Sequence, residues 1–534
     1  MKQLFFMCLF MAAFFAHAQT ATVTLSDKFE VKDRGLTSSS GTTCRLGDFF
    51  YCMQYDRKST QFAIYPRLND IKYGISFYRF TADMKELAKA ALNKGKKDFG
   101  PFIPQAVILN NKLLLFYYRA QDDGSVKLLV TTIEPETLAE TGTRELYNIP
   151  EKNVSSFKTD NAVAHNNLAL VMSPDQKKLL VAQSGNTGEI FTCIINEKNE
   201  VVKPAVTTIK DNLQDLEVQN CFVDNDGNKC LGYSYTINKI YKRGVLVWDS
   251  KGKDVFLDFN TGHKEWEANK LSFHMSADNS TLYVYANYYG DDMDEGVLLS
   301  TLNMQQLAYG PVQLFAYTGD IREKLYKMGF GVKNKDGYTV KRIDYACTEL
   351  EDGTLALTGY PSASSSSMRM KPGIMNTNTV PANGMSTPQY QTVYDDTAGP
   401  IVDVFLKGGQ CKFGLLYRKQ EVSEASGYIP IAWKNKLICI YCDSKKNLES
   451  GQDEKVKVVN RPADLVLAEA VIAQDGTILS RGQIADTAIG SNYYYLDYNK
   501  QVTNTSYLIP VGRLRLNMAR YYTEIVQWAN VSVK

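Results

Sequence analysis

Residues 173–181 read SPDQKKLLV, and residues 276–284, which lie 103 positions later, read SADNSTLYV. The two stretches share the pattern S-x-D-x-x-x-L-x-V, in which a polar turn leads directly into an apolar strand. Asp, Asn and Gly tolerate left-handed backbone and therefore favour the tight turns of β-hairpins. The repetition predicts that one hairpin-based unit occurs several times in this chain.

Polar turns of the same kind recur along the chain, and most are followed by strands rich in aliphatic and aromatic residues. They lie at Asn110-Asn111, Asp175, Asp226-Gly227, Asp278-Asn279, Asp352-Gly353, Asn435 and Asp475-Gly476, with a weaker example at Gly47-Asp48. A unit of roughly 40–60 residues with about four short strands is the blade of a β-propeller. The sequence therefore predicts an all-β propeller with eight blades. A seven-bladed ring is the alternative, because the first and last units are the least regular.

The two ends of the chain are expected to close the ring. Terminal strands of a propeller commonly complete one shared blade, which removes exposed sheet edges. Residues 21–31 and the region from Tyr507 onward are the predicted partners in this closure. Two separate β-sandwiches are the competing architecture, but they do not require the same turn twice.

Residues 362–388 interrupt the repeat with a stretch rich in Ser, Asn, Pro, Thr and Met. This composition predicts a long flexible insertion between two strands of one blade, projecting from one rim. Its methionines at positions 368, 370, 375 and 385 are soft thioether ligands that suit copper(I). A plain loop is nevertheless the favoured interpretation.

The N-terminus has the features of a secretory signal peptide. Lys2 precedes an uncharged apolar run at residues 4–15, and Ala16-His17-Ala18 has the small-x-small pattern of a cleavage site. We therefore expect residues 1–18 to be removed, which leaves a propeller domain at residues 19–534. The apolar run is shorter than the about 20 residues of a spanning helix, so no transmembrane anchor is expected. The expected location is the periplasm, the cell surface or the extracellular space.

Charge and cysteine content exclude two classes of protein. The net charge is +2 and no long basic run occurs, so nucleic acid is not an expected partner. Ten cysteines in 534 residues are too few for a small disulfide scaffold.

Two cysteine pairs deserve separate predictions. If residues 224–227 form a four-residue hairpin loop, Cys221 and Cys230 face one another as a possible disulfide. Two buried free thiols are the alternative. Cys439 and Cys442 form C-x-x-C within an apolar strand, where positions three apart point to opposite faces. A redox motif requires a helix N-terminus instead, so a structural role is predicted for this pair.

An export signal, an all-β repeat with S-x-D turns, and strands such as Gly188-Glu189-Ile190-Phe191 occur together in this chain. This combination resembles the poorly characterised secreted β-propellers of Bacteroidota-type bacteria. The same turn also occurs in Tol-type periplasmic propellers and in prolyl-oligopeptidase propellers, so it indicates a fold. The resemblance implies a propeller and an exported location, and it implies no activity for particular residues.

Catalytic motifs are absent from the sequence. His165, His263 and His274 form no zinc-binding spacing, and no G-x-S-x-G or sialidase-type Asp box occurs. Carboxylates are too common for a glycosidase pair to be chosen by position, so the catalytic residues stay unknown. No cofactor is expected.

One acidic run is a weak candidate for calcium. Asp291, Asp292 and Asp294 lie in a run that ends at Glu295, and their hard oxygen atoms suit this ion. A solvated loop is the favoured interpretation. The nearby tyrosines at 283, 285, 288 and 289 are either packing residues or a surface that stacks on sugars or protein partners.

Two functions from different classes follow from these patterns. The favoured one is a non-enzymatic binding or scaffold propeller of the bacterial cell envelope that engages a protein or a glycan through one rim. The alternative is a propeller enzyme that acts on extracellular polysaccharide, as a glycoside hydrolase or a lyase. The absence of sialidase-type Asp boxes and the small number of histidines favour the binding protein.

Overall fold

A computed structural model describes most of the chain after residue 20. The described residues are 21–26, 28, 37–59, 71–92, 104–151, 168–184, 189–208, 214–237, 240–248, 254–259, 267–268, 270–289, 295–334, 337–370, 390–421, 426–450, 456–459, 464–486, 493–496, 500–503, 505–517 and 520–533. The predicted signal peptide at residues 1–18 lies outside them and stays a prediction.

The chain forms a β-propeller in which eight antiparallel sheets, the blades, are arranged in a ring. Strand β1 (Ala21–Leu25) belongs to the last blade, and the next sixteen strands form blades 1 to 4. They are β2 (Thr37–Leu46), β3 (Phe49–Ser59), β4 (Ile71–Phe80) and β5 (Glu86–Leu92) in blade 1; β6 (Gln105–Leu109), β7 (Lys112–Ala120), β8 (Val126–Ile133) and β9 (Glu140–Ile149) in blade 2; β10 (Leu168–Met172), β11 (Leu179–Ser184), β12 (Glu189–Ile195) and β13 (Val201–Thr208) in blade 3; and β14 (Gln214–Val223), β15 (Lys229–Ile237), β16 (Ile240–Trp248) and β17 (Asp254–Asp258) in blade 4.

Blades 5 to 8 are less regular. Their strands are β18 (Glu267–Ala268), β19 (Ser272–Met275), β20 (Leu282–Tyr289), β21 (Glu295–Asn303), β22 (Ala308–Tyr309) and β23 (Gln313–Ala316) in blade 5; β26 (Ile343–Glu349), β27 (Leu355–Met370), β28 (Tyr390–Ala398), β29 (Ile401–Lys407) and β30 (Gln410–Leu416) in blade 6; β31 (Tyr428–Trp433), β32 (Lys436–Ser444), β33 (Leu465–Ile472) and β34 (Ile478–Asp486) in blade 7; and β35 (Tyr493–Tyr494), β36 (Lys500–Thr503), β37 (Ser506–Asn517) and β38 (Arg520–Val533) in blade 8.

Residues 317–342 connect blade 5 to blade 6 and form what we call the α1 insertion. It contains helix α1 (Gly319–Lys327) and the hairpin of β24 (Gly331–Asn334) and β25 (Gly337–Val340). Thr318 caps α1 by accepting a hydrogen bond from the Ile321 amide, and Gly329 ends it with a φ of +91°. A shorter helix, α2 (Lys445–Glu449), follows β32 in blade 7.

The first strand of each blade lies toward the centre of the ring and the last lies at the outside. First strands of neighbouring blades contact one another, as β2 does β6, β10 does β14 and β26 does β31. The middle strand β7 is buried along Leu113–Tyr118, because it packs on both faces, whereas the last strand β17 alternates between exposed and half-buried residues. The blades therefore pack face to face around the inner strands.

Both chain ends meet in blade 8, as the sequence predicted. Strand β1 pairs antiparallel with β38, from Ala21 opposite Val533 to Leu25 opposite Ala529. The Gln527 side-chain amide donates to the Ser26 carbonyl at 2.7 Å. The N-terminal segment thus supplies the outermost strand of the last blade and closes the ring.

The turns that predicted the blades have the expected geometry. In blade 5 the Ser276 hydroxyl donates to Asp278 at 2.6 Å and accepts from the Thr281 amide at 2.9 Å, while Asn279 has a φ of +58°. Seven of the eight turns join an inner strand to the next strand of its blade in blades 1 to 7. The eighth, at Asp475-Gly476, joins β33 to β34 and shares blade 7 with Asn435. The predicted number of blades is correct, although blade 8 is built by the closing strands instead.

The predicted geometry of the Cys221–Cys230 pair is wrong. The turn contains five residues, 224–228, so that Phe222 lies opposite Cys230 and Cys221 lies opposite Leu231. The extra residue shifts the register by one position and directs the two thiols to opposite faces of blade 4. Both cysteines are free.

The predicted insertion at residues 362–388 begins as a strand. Residues 362–370 continue β27 beyond the blade and pair with β28. Residues 362–370 of β27 and residues 390–398, which form β28, make an antiparallel extension of blade 6 that we call the arm. The arm lies along the chain between the part of β27 that pairs within the blade and β29. Residues 371–389 lie outside the described residues, so the predicted loop and its methionine site stay predictions there. Within the described part of the chain, no helix is long and apolar enough to cross a membrane.

Candidate functional site

A group of buried polar side chains lies between blades 5 and 6. Successive residues of β20 point to opposite faces, so Val284, Ala286 and Tyr288 pack against blade 4 in an apolar cluster. The alternate residues of β20 face blade 6, where Tyr285 packs among Tyr345, Leu357 and Val402. The four clustered tyrosines of the sequence are therefore divided, since Tyr288 has a packing role and the others face blade 6.

A chain of hydrogen bonds crosses this boundary, which we call the tyrosine interface and define by Tyr285, Asn287, Tyr317 and Tyr345. The Asn287 side-chain amide donates to the Gly296 carbonyl at 2.6 Å and to the Tyr317 hydroxyl at 2.8 Å. The Tyr317 hydroxyl lies 2.8 Å from the Tyr345 hydroxyl. Burial raises the pKa of both phenols far above the usual value, so both are neutral at physiological pH.

Glu295 begins β21 beside this chain and is 3% exposed. Its backbone carbonyl accepts from the Tyr317 amide at 2.9 Å, and its carboxyl group accepts from the Val340 amide. Burial raises the pKa of Glu295 to about 7, although the Val340 hydrogen bond and Arg322 act in the opposite direction. The prediction that this residue belongs to a solvated acidic loop is wrong, because it lies within the blade packing.

A cavity of about 250 Å³ opens along the inner strands of blades 4, 5 and 6. Its polar lining combines amides, hydroxyls and an ammonium group, and its walls include aromatic rings. The lining residues are Asn220, Cys221, Lys270, Ser272, Phe273, Tyr285, Ala286, Asn287, Ile343, Asp344 and Tyr345.

The cavity reaches the rim opposite the S-x-D turns at Ile343 and Asp344, and it extends along the inner strands to Asn220 and Cys221, near the turn end of β14. It is bounded by the first residues of β19 and β26 and by Asn287 near the end of β20, whereas the S-x-D turn of blade 5 joins the other ends of β19 and β20. The arm leaves blade 6 on the same rim, since its base at Tyr360 and Pro361 pairs with Asp344 and Ile343. The α1 insertion enters β26 there as well. The additions to the basic repeat are therefore grouped around the cavity.

The lining is suited to hydrogen bonding with a polar ligand. The Asn220 side-chain amide donates to the Leu271 carbonyl at 2.7 Å and to the Ser272 hydroxyl at 3.0 Å, which fixes its orientation. Asp344, the only carboxylate among the described lining residues, accepts from Arg342 Nε at 3.2 Å. Polar groups that converge on an aromatic-walled hollow are the general pattern of small-ligand sites.

A second buried carboxyl group lies on the other face of blade 6. Asp403 is fully buried and accepts from the Thr358 hydroxyl at 2.8 Å, while its second oxygen has no hydrogen-bond partner among the described residues. Burial raises the pKa of Asp403 to about 7. Its neighbours Ile401 and Phe405 pack against blade 7, so Asp403 belongs to a different boundary from the cavity.

The calcium candidates Asp291, Asp292 and Asp294 lie outside the described residues, so that hypothesis stays untested. Within the described residues, no group of three His, Cys, Asp or Glu side chains is arranged to hold a metal ion. His165 and His263 are also outside the described part.

His274 and the C-x-x-C pair have structural surroundings. His274 Nε2 lies 3.5 Å from the Glu349 carboxylate, and burial lowers its pKa despite that partner. Cys439 and Cys442 are buried on opposite faces of β32, as predicted, and burial raises the pKa of Cys439.

Sequence reasoning missed Asn287, Tyr317, Tyr345 and Asp403, and it misplaced Glu295. The available signal was a single polar residue within an apolar strand, as in the runs LYVYANYY for β20 and IVDVFLK for β29. Such residues are buried and require partners. The partners themselves come from other blades, and local patterns do not identify them.

No protein-family model and no curated protein matches this chain. Solved structures with similar folds include a polysaccharide lyase, which is 11% identical with a TM-score of 0.42 over 80% of this chain and 89% of that one. The β-propeller domain of the Trilobed protease from Pyrococcus furiosus is 11% identical with a TM-score of 0.34, covering 87% and 98%. An endo-arabinase from Bacteroides thetaiotaomicron is 10% identical with a TM-score of 0.24, covering 52% and 98%. At these identities the similarity concerns the β-propeller fold alone.

Proposed function

We propose that this protein is an exported, non-catalytic binding propeller of the bacterial cell envelope, and that it binds a glycan in the cavity at the tyrosine interface. The observation that supports the proposal most is the polar lining itself. Asn220, Ser272 and Asn287 converge there with Tyr285 and Tyr345, at a boundary between blades that is otherwise packed with apolar residues.

Sugar rings combine hydroxyl groups with apolar faces, and this lining offers counterparts to both. Amide and hydroxyl side chains exchange hydrogen bonds with sugar hydroxyls, while aromatic rings cover the C–H face of a sugar. The volume of about 250 Å³ lies below the roughly 300–1,000 Å³ of drug-sized sites and suits one sugar unit of a longer chain.

An enzyme acting on extracellular polysaccharide, as a glycoside hydrolase or a lyase, is the second candidate. Buried Glu295, with a pKa raised to about 7, favours it, because perturbed carboxyl groups are common at catalytic sites. Glu295 does not line the cavity, however, and its carboxyl group is engaged by the Val340 amide. The geometry therefore favours binding over bond cleavage.

The test is a glycan array probed with residues 19–534 and with two lining variants, Lys270→Ala and Asp344→Ala. We expect binding to at least one glycan class and a loss of at least tenfold in affinity for one or both variants. Lys127→Ala in blade 2, which removes an exposed partner of Glu145, is the matched control and leaves binding unchanged. Unchanged binding in both lining variants contradicts the proposed site.

The same preparations separate binding from catalysis. Each bound polysaccharide is incubated with the protein, and new reducing ends or unsaturated products are measured. Their appearance moves the protein to the enzyme class. Export is tested separately by N-terminal sequencing from the native host, where we expect the mature chain to begin within about two residues of Gln19. An intact Met1 contradicts export.

A further inference from the structure

Lys270 is the cationic residue of the cavity lining, and its position is fixed by the residue that follows it. Leu271 is fully buried in the apolar cluster between blades 4 and 5, and its carbonyl accepts from the Asn220 side-chain amide at 2.7 Å. Lys270 itself is half-buried and lines the cavity. Burial raises the pKa of the Cys221 thiol to about 12, and the charge of Lys270 acts in the opposite direction. The ammonium group therefore lies in the cavity wall near Cys221.

The charge of Lys270 is not balanced by the rest of the lining. Asp344, the carboxylate of the described lining, accepts from Arg342 Nε at 3.2 Å and is neutralised by that guanidinium group. Within the described part of the chain, Lys270 forms no ion pair. The three groups together leave the cavity with one positive charge in excess. Charge-assisted hydrogen bonds are stronger than neutral ones, so an anion is the best partner for this ammonium group.

The two amides of the lining can accept hydrogen bonds from a ligand, but their donors are already used. Asn220 and Asn287 each donate two hydrogen bonds from the side-chain amide to groups of the protein. An amide has two N–H bonds and one oxygen, so the oxygen is what each can offer to a ligand. Sugar hydroxyls donate to such oxygen atoms. A carboxylate or sulfate group only accepts, and Lys270 is the cation in the described lining that suits it.

We propose that Lys270 determines the specificity of the cavity by selecting acidic glycans, whose carboxylate or sulfate group binds its ammonium group. The inference rests on the proposed function, because it names the class of glycan that the same cavity takes. The hydroxyl groups of the bound sugar donate to the amide oxygen atoms of Asn220 and Asn287. A neutral glycan makes these contacts but leaves the charge of Lys270 unpaired.

Matched pairs of acidic and neutral polysaccharides test the inference. The acidic members are polygalacturonate and alginate, which carry carboxylates, and carrageenan and dextran sulfate, which carry sulfates. The neutral partner of each is made by carboxyl reduction or by desulfation and keeps the same backbone. In calorimetric titrations of residues 19–534, we expect at least one acidic member to bind about tenfold or more tightly than its neutral partner. The members that bind show whether the carboxylate or the sulfate is recognised.

Lys270→Gln removes the charge and should lower the affinity for the acidic member by about tenfold or more, while the affinity for the neutral partner stays the same. Lys270→Met, which keeps the length of the side chain, is the second variant in case Lys270→Gln fails to fold. Lys127→Gln in blade 2 is the matched control, because it removes one positive charge from an exposed ion pair with Glu145. This control should bind both members as the wild type does.

Two results overturn the inference. One is equal affinity of the wild type for each acidic member and its neutral partner. The other is an equal loss in Lys270→Gln and Lys127→Gln, which indicates attraction by net charge alone. If a neutral glycan binds and Asp344→Ala weakens that binding, the proposed glycan site stands without the acidic specificity. Absence of binding to every acidic and neutral member, and to the glycan array, overturns the proposed function as well, so the two failures are distinguishable.

Discussion

The boundary between blades 2 and 3 and the boundary between blades 5 and 6 are built on the same sheet geometry but with different chemistry. Between blades 2 and 3, buried side chains such as Leu114, Phe116, Leu179 and Phe191 form an apolar core. Its polar contacts include the hydrogen bond from Tyr118 to Gln183 and that from the Gln105 side-chain amide to the Leu168 carbonyl. Between blades 5 and 6, apolar packing continues around a connected set of phenols, an amide and a carboxyl group.

This difference distinguishes a boundary that stabilises the fold from the boundary at which we propose the binding site. Apolar burial stabilises a boundary in proportion to its area and requires no exact partner. A buried polar group costs free energy unless it is hydrogen-bonded, so a polar boundary requires partners in exact positions. The extra segments of the chain, namely the arm and the α1 insertion, also occur at the polar boundary. This difference supports the proposal that blades 5 and 6 bind the ligand, whereas blades 2 and 3 stabilise the ring.

The largest expected effect is at the apolar boundary. Phe116 is fully buried, so Phe116→Ala should lower the free energy of unfolding by about 3–5 kcal/mol through lost burial and a residual cavity. Tyr285→Phe retains the ring at the polar boundary and should cost about 1 kcal/mol. Urea denaturation of both variants provides the comparison. Equal losses would show that one hydroxyl at the polar boundary contributes as much to stability as a whole buried ring at the apolar boundary, which contradicts the expected order.

The second effect is a pH dependence that belongs to blade 6. Folding raises the pKa of Asp403 from 3.8 to about 7, so the native protein keeps a proton that the unfolded chain releases. Stability from this group is full below pH 4 and decreases as the pH rises to 7, by about 3–4 kcal/mol. Asp403→Asn should remove this part of the decline between pH 4.5 and 7.5 in urea denaturation.

Phe116→Ala is the control for that measurement. It should lower stability by the same amount at every pH, because no titrating group is affected. A wild-type profile no steeper than that of Asp403→Asn would show that this carboxyl group is not held in its neutral form.

A smaller effect tests whether the phenols act as one network. Tyr317→Phe and Tyr345→Phe each remove one hydroxyl of the pair that is 2.8 Å apart, and each should cost about 1 kcal/mol. The double variant should cost less than the sum, with a coupling of at least 0.5 kcal/mol, as expected for residues in contact. Strict additivity in a denaturation cycle would mean that the two hydroxyl groups act independently.

The smallest effect concerns the repeated turns. Ser173→Ala and Ser276→Ala each remove a hydroxyl that donates to an Asp and accepts a backbone amide. Each should cost about 0.5–1.5 kcal/mol, and the two losses should be alike although the turns lie in different blades. Neither variant should change glycan binding, because neither serine lines the cavity. A binding loss in Ser276→Ala alone would extend the site to the S-x-D turn of blade 5.

The sequence predicted the scaffold better than the site, for a physical reason. Turn residues such as Asp278 and Asn279 act locally, so their pattern revealed the blades, and the paired ends of the chain followed from the need to close a ring. The number of turns does not reveal the order of the strands. The turn at Asp475 was therefore counted as a separate blade, although it shares blade 7 with the turn at Asn435. A single additional residue in the loop after Val223 changed the register of Cys221 and Cys230.

The site depends on contacts that are distant in sequence. Tyr317 meets Tyr345 because a connecting segment leaves blade 5 and returns into blade 6, and Val340, which hydrogen-bonds to Glu295, arrives from that segment. The position of Glu295 at the end of an acidic run had predicted a solvent-exposed residue. Residue types and spacing therefore indicated polar groups in unusual positions, whereas their partners required the three-dimensional structure.

The most direct test of the account is a crystal structure of residues 19–534 with the oligosaccharide that gives the strongest signal on the glycan array. We predict density for a sugar unit in the cavity, within hydrogen-bonding distance of Asn287 or Asn220 and against the ring of Tyr285. Density for the sugar at the outer strands or on the rim of the S-x-D turns, with the cavity unchanged, would contradict the assignment of function to the boundary between blades 5 and 6.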